Sequence, residues 1–190
     1  MIQSLFPFII FIAFLAIFYI SGRKKNEALK NLTNHFNGSI VKFTLYPTLN
    51  GEYHGLNFSI KLIPASKSSP AYLKISLAKS SFFKLSIYRE GFLSNLGKKL
   101  GIVHEVKIND ESLDRDFLIF SNNPTQAMSH LNNGTIKNTI RELFDNGFDY
   151  IIASGKTIII QKPNYILEKD LDITFITGIL QKLILFSKGW

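Results

Sequence analysis

The chain has 190 residues, no cysteine, and 22 Lys and Arg against 14 Asp and Glu, for a net charge of +8. The missing cysteines exclude disulfides, thiolate zinc sites and cysteine nucleophiles. A basic balance suits an acidic partner, but the lysines are scattered among Ile, Asn and Phe, without the basic stripe and interleaved aromatics of a nucleic-acid groove, so no nucleic acid is expected.

The first segment, Ile2 to Ile20, carries no charge and is followed by Arg23, Lys24 and Lys25, with Lys30 close behind. About 19 residues at 1.5 Å each match the hydrocarbon core of a bilayer. A cleaved signal peptide would place its charges before the apolar run and small residues after it, the reverse of this order. The pattern predicts a transmembrane anchor over residues 1–22. A juxtamembrane basic helix over 23–37 would follow, with Arg23, Lys24 and Lys25 at the membrane surface. Residues 38–190 would form a single α+β domain. Positive flanking charge then places that domain on the cytoplasmic side of a single-pass inner-membrane protein, with the lipid bilayer as one partner.

Within 26–36, Leu29, Leu32 and Phe36 have helical spacing and Asn37-Gly38 supplies a stop. Val41, Phe43 and Leu45 alternate with period two, as do Leu56, Phe58, Ile60 and Leu62, and Asn50-Gly51 between them reads as the hairpin turn. Leu73, Ile75 and Leu77 form a third strand and Phe83, Leu85 and Ile87 a fourth, in meander order. His104, Val106 and Ile108 read as a fifth strand and Phe117 to Phe120 as a sixth. Asn123-Pro124, an N-cap before a first-turn proline, opens a helix carrying Ala127, Met128 and Leu131. Thr135 can cap the next helix, whose apolar face is Ile136, Ile140, Leu143 and Phe144. A hairpin follows around Ser154-Gly155, and one last helix spans Glu168 to Ser187. The predicted fold class is α+β, with an N-terminal transmembrane helix followed by an antiparallel sheet packed against helices.

Candidate chemistry is sparse. Gly155-Lys156-Thr157 has the tail of a phosphate-binding loop, but Tyr150 stands where that loop needs its first glycine, and a strand follows, so it reads as a turn. His35, His54, His104 and His130 have no metal-ligand spacing. The densest polar run is Asp110 to Asp116. Its carboxylates lack the spacing and glycine of a calcium loop. The favoured reading is structural: Asp110 caps a helical turn that buries Leu113 and Phe117, leaving Asp114 and Arg115 to bind backbone or each other. The alternative is a membrane-tethered metal-dependent hydrolase using Asp110, Asp114 and Asp116 with His104 nearby.

The same run, Asp110 and Leu113, then Asp114-Arg115 and Phe117, then an apolar strand and Asn123-Pro124 opening a helix, resembles a segment of uncharacterised bacterial membrane-anchored proteins. Those carry an Asp-x-x-Phe-Asp-Arg-x-Phe-like stretch before a strand and an Asp/Asn-Pro helix start. Here Glu111 replaces the usual proline, Leu113 the aromatic and Asp116 the second basic residue. The resemblance implies an anchored α+β domain and carries no catalytic residues. The reading is thus a membrane-anchored binding or assembly module, with Asp110, Asp114, Arg115 and Asp116 as its candidate cluster. Its partner would be another membrane protein or a second copy of itself, with no cofactor.

Overall fold

Burial alternates along the strands Leu56–Ile63, Tyr72–Ala78, Phe117–Ser121, Tyr150–Ser154 and Thr157–Pro163, giving each a buried and a more open side, and the chain uses this to build one sheet with its described helices on a single face. The computed structural model describes residues 23–41, 46–90, 104–188 and 190. A helix α1 over residues 23–35 is followed by β1 (Ser39–Val41), β2 (Thr48–Tyr53), β3 (Leu56–Ile63), β4 (Tyr72–Ala78), β5 (Leu85–Arg89) and β6 (His104–Glu105). Then come α2 (Glu111–Asp116), β7 (Phe117–Ser121), α3 (Pro124–Leu131), α4 (Gly134–Asp145), β8 (Tyr150–Ser154), β9 (Thr157–Pro163), α5 (Leu167–Asp170) and α6 (Ile173–Phe186).

The sheet order is β1-β2-β3-β4-β9-β8-β5-β7-β6, and every pairing is antiparallel. Of the expected meander, only the second and third strands, β3 and β4, are neighbours: β2 separates β3 from β1, which holds Val41 of the first, and the fourth, β5, does not lie beside β4. The β8–β9 hairpin lies between β4 and β5. Its turn is held by the connector that crosses it, where the Lys79 N–H donates to Lys156 O at 3.0 Å and the Ser81 N–H to Gly155 O at 2.8 Å. With the hairpin in place, Leu49, Ile60, Ile75, Ile160, Ile151, Ile87 and Ile119 form one cross-strand row. All seven are buried, and each contributes about 1.5–3 kcal/mol by leaving water.

Asn50-Gly51 is not a turn. Both residues lie inside β2, and the chain reverses at His54 and Gly55, whose φ values of 50° and 74° are the left-handed pair that a tight hairpin needs. Gly51 serves packing instead: a Cβ there would stand 2.7 Å from the Phe58 ring, which fills the space together with Phe36. Phe43 and Leu45 lie outside the described residues.

Helix starts follow local chemistry. Asn123 accepts from the Gln126 N–H and places Pro124 in the first turn. The next cap is Asn133 rather than Thr135, since its side chain accepts from the Thr135 N–H at 2.9 Å. The single last helix of the sequence reading is two. Asp170, buried at the end of α5, accepts from Lys162 Nζ and from the Ile166 N–H, each at 2.8 Å, and Asp172 then caps α6 through the N–H groups of Thr174 and Phe175. In α6, Ile176, Ile179, Leu180, Leu183 and Phe186 are buried. Leu29, Leu32 and Phe36 join the same core, so the basic helix is built into the domain.

The membrane assignment requires correction. Among the described residues no helix is long and apolar enough to cross a membrane. The most apolar candidate, α6, has 14 residues, short of the roughly 20 that a span needs, and its apolar side is spent on the core. Residues 1–22, where the anchor was expected, lie outside the described residues. The fold class is therefore α+β, an antiparallel sheet with helices and no spanning helix among the described residues. The single-pass and inner-membrane placements do not stand.

Candidate functional site

The segment Ile108 to Phe117 is a chain reversal tied down by its own carboxylates. Asn109 takes a left-handed φ of 57°. Asp114 then closes the loop, its carboxylate accepting from the Ile108 N–H at 3.0 Å and the Asp110 N–H at 3.2 Å. Asp110 caps α2 by accepting from the Leu113 N–H at 3.2 Å and the Ser112 hydroxyl at 2.8 Å, which drives Leu113 and Phe117 into the core. Two cations from α4 reach the same carboxylate, Lys137 Nζ at 3.0 Å and Arg141 Nη2 at 3.3 Å. The Lys137 ammonium, with Ser112 and the Leu113 N–H, holds the Asp110 carboxyl well below the usual carboxylate range.

Arg115 and Asp116 turn the other way. They pair at 2.9 Å with both side chains mostly exposed, and this bond lowers the Asp116 pKa. The three carboxylates thus serve two separate purposes, and among the described residues no group of three His, Asp or Glu side chains is placed to hold a metal ion. The side chain of His104 is outside what the structure describes.

Arg115 and Asp116 form one wall of an open pocket of about 630 Å³, shared with Arg89, Glu90, Arg141 and Asp145. Three of the chain's four arginines meet there. Each is pre-set by the fold. Arg89, at the end of β5, donates from Nη2 to Phe144 O at 3.0 Å and sits 5.9 Å over the Phe144 ring. Arg141 is locked by Asp110 and by Ser112 Oγ at 2.6 Å. Asp149 stands one residue before β8, level with Arg89 beyond the Tyr88–Tyr150 pair. Burial pushes its carboxyl up to about 6, an effect that the nearby Arg89 charge only tempers.

Arg89, Lys137, Arg141 and Asp149 escaped the sequence reading, because nothing local links them to Asp110. Arg23, Lys24 and Lys25 lie elsewhere, on α1. Arg23 pairs with Glu27 at 2.9 Å on the exposed side, and Lys24 borders a cleft shared with Glu168 and Asp172.

No family model matches the chain, and no curated protein matches it. The crystal structure of the mycobacterial trehalose monomycolate transport factor A is similar, with a TM-score of 0.58 and 10% identity over 87% of this chain and 92% of that one. At that identity the likeness is one of fold.

Two outcomes test this geometry. Asp114→Ala leaves the Ile108 and Asp110 N–H groups unpaired and should destabilise the domain by about 1–3 kcal/mol in denaturant unfolding. Asp149 holds its proton more tightly folded than unfolded, so its contribution is full below about pH 4 and is lost as pH rises to about 6. Asp149→Asn should therefore gain stability over the parent at pH 7 and lose that advantage at pH 4. A difference independent of pH would contradict the burial of this carboxyl.

Proposed function

We propose that this chain is a non-catalytic binding and assembly module that holds a protein partner by drawing an acidic side chain of that partner into the Arg89–Arg115–Arg141 pocket. The observation that supports it is the convergence of three guanidinium groups from β5, α2 and α4 on one open pocket. Guanidinium groups bind carboxylates in a two-point fork that ammonium groups cannot reproduce, and this chain otherwise relies on lysine. Glu90, Asp116 and Asp145 on the same rim make the surface mixed in charge. That suits the paired charges of a protein surface better than a free anion, and it favours orientation and selectivity. Asp110 and Asp114 act behind the pocket as the struts of its wall. A protein of like fold is a mycobacterial transport factor, which agrees with a role in holding rather than converting.

The test uses the tagged full chain, crosslinked and recovered from the cells that make it. Arg115 is 69% exposed, so Arg115→Glu should leave stability within about 0.5 kcal/mol of the parent. It should nevertheless cut recovery of the crosslinked partner at least about tenfold, a loss of roughly 1.4 kcal/mol. The parent interaction should weaken as salt rises. Unchanged recovery with the variant would overturn the proposal.

A further inference from the structure

The opposite face of the sheet holds a second site of different chemistry. Across β2, β3 and β4, the outward residues Asn50, Ser59 and Ser76 lie in one row. Glu52 faces Asn57 one step along, and Ala78 faces Thr157 where β9 adjoins β4. These small side chains leave a trough of about 530 Å³, closed at one end by Asn37 and Gly38. That volume falls within the range of small-molecule sites. Glu52 is the one charged residue in the lining.

Elsewhere in the domain, caps and turns take up a number of the amide and hydroxyl side chains, as with Asn123, Asn133, Ser112 and Ser121. In the trough they do not. Among the described residues, the side chains of Asn50, Asn57, Ser59, Ser76 and Thr157 make no hydrogen bond within the chain. The lining therefore offers a dense, uncharged array in which each amide both donates and accepts and each hydroxyl does the same. A single carboxylate, Glu52, is placed to accept from two adjacent hydroxyls.

We infer that this trough binds a neutral polyhydroxylated ligand, a saccharide unit of about disaccharide size. A saccharide presents hydroxyls that each donate and accept, which is what such a lining complements. A phosphate or carboxylate ligand would need cations, and among the described lining residues there is none. An extended peptide would need the free backbone groups of a sheet edge, whereas the floor here is made mainly of side chains on the interior strands β2, β3, β4 and β9, with Ser39 alone coming from the end strand β1. The site is independent of the arginine pocket.

The experiment titrates the full chain, labelled with nitrogen-15, with maltose and with cellobiose. At least one should give saturable shifts at millimolar concentration, confined to the amides of 37–39, 50–52, 57–59, 76–78 and 157. Ser76→Leu fills the floor and should weaken binding at least about tenfold. Glu52→Gln, on an exposed residue, should weaken it without touching the fold. Inorganic phosphate should leave these amides unmoved. The inference is overturned if neither sugar shifts them, if both variants bind as the parent does, or if phosphate or a neutral Gly-Ser hexapeptide moves them and the sugars do not.

Discussion

The insertion of the β8–β9 hairpin between β4 and β5 is the constraint on which the rest of the molecule depends. Without it, β1 to β4 and β5 to β7 would be two small sheets with exposed edges, each with too little apolar area to hold its helices. With it, a single row of seven buried side chains runs from Leu49 to Ile119, and α1, α4 and α6 share one core. The hairpin is itself fixed at both ends. The 79–84 connector bonds its turn, and Lys162 near its end meets the buried carboxylate of Asp170 at 2.8 Å. A buried pair of this kind adds little net stability, but losing one partner costs about 3–5 kcal/mol. It therefore fixes where β9 ends and α5 begins.

Both proposed sites inherit their geometry from this insertion. Thr157 reaches the trough only because β9 lies beside β4. Asp149 stands level with Arg89 only because β8 lies beside β5. The arginine pocket also needs β7 on the far side of β5, since Phe117 pairs with Arg89 and continues directly from α2. One sheet thus presents two chemistries on opposite faces, a mixed-charge pocket at the rim of the helical side and a trough of amides and hydroxyls with one carboxylate, Glu52, on the open side.

What could be read from the sequence was local. The Asn123-Pro124 helix start and the Asp110 cap are decided within four residues, and both stand in the structure as their side chains suggest. Strand alternation is equally local, which is why Phe58, Ile60 and Leu62 announce a buried face. Pairing order is not local. Period two marks β5 as a strand but says nothing about which strand lies beside it, and the intervening hairpin, Tyr150 to Pro163, comes far later in the chain. The turn at Asn50-Gly51 failed for a related reason: an Asn-Gly pair favours left-handed geometry, but Phe36 and Phe58 needed a residue without a Cβ at Gly51, and packing won. The candidate cluster was half legible. Asp110 and Asp114 follow from their own loop, while Arg89 and Arg141 enter from distant elements that only the tertiary fold brings alongside.

The most direct measurement exploits the absence of native cysteine. Ser76 and Ile159 are cross-strand partners on β4 and β9, facing away from the core. Paired residues of this type lie about 4.5–5.5 Å apart at Cα, within disulfide range. The double variant Ser76→Cys with Ile159→Cys should therefore close a disulfide on mild oxidation, seen as loss of two alkylatable thiols, with no fall in unfolding midpoint. The pair Ser76→Cys with Ser86→Cys, which a direct β4–β5 meander would place side by side, should remain reduced. Ready closure of the second pair and failure of the first would contradict the inserted hairpin, and with it the geometry of both sites.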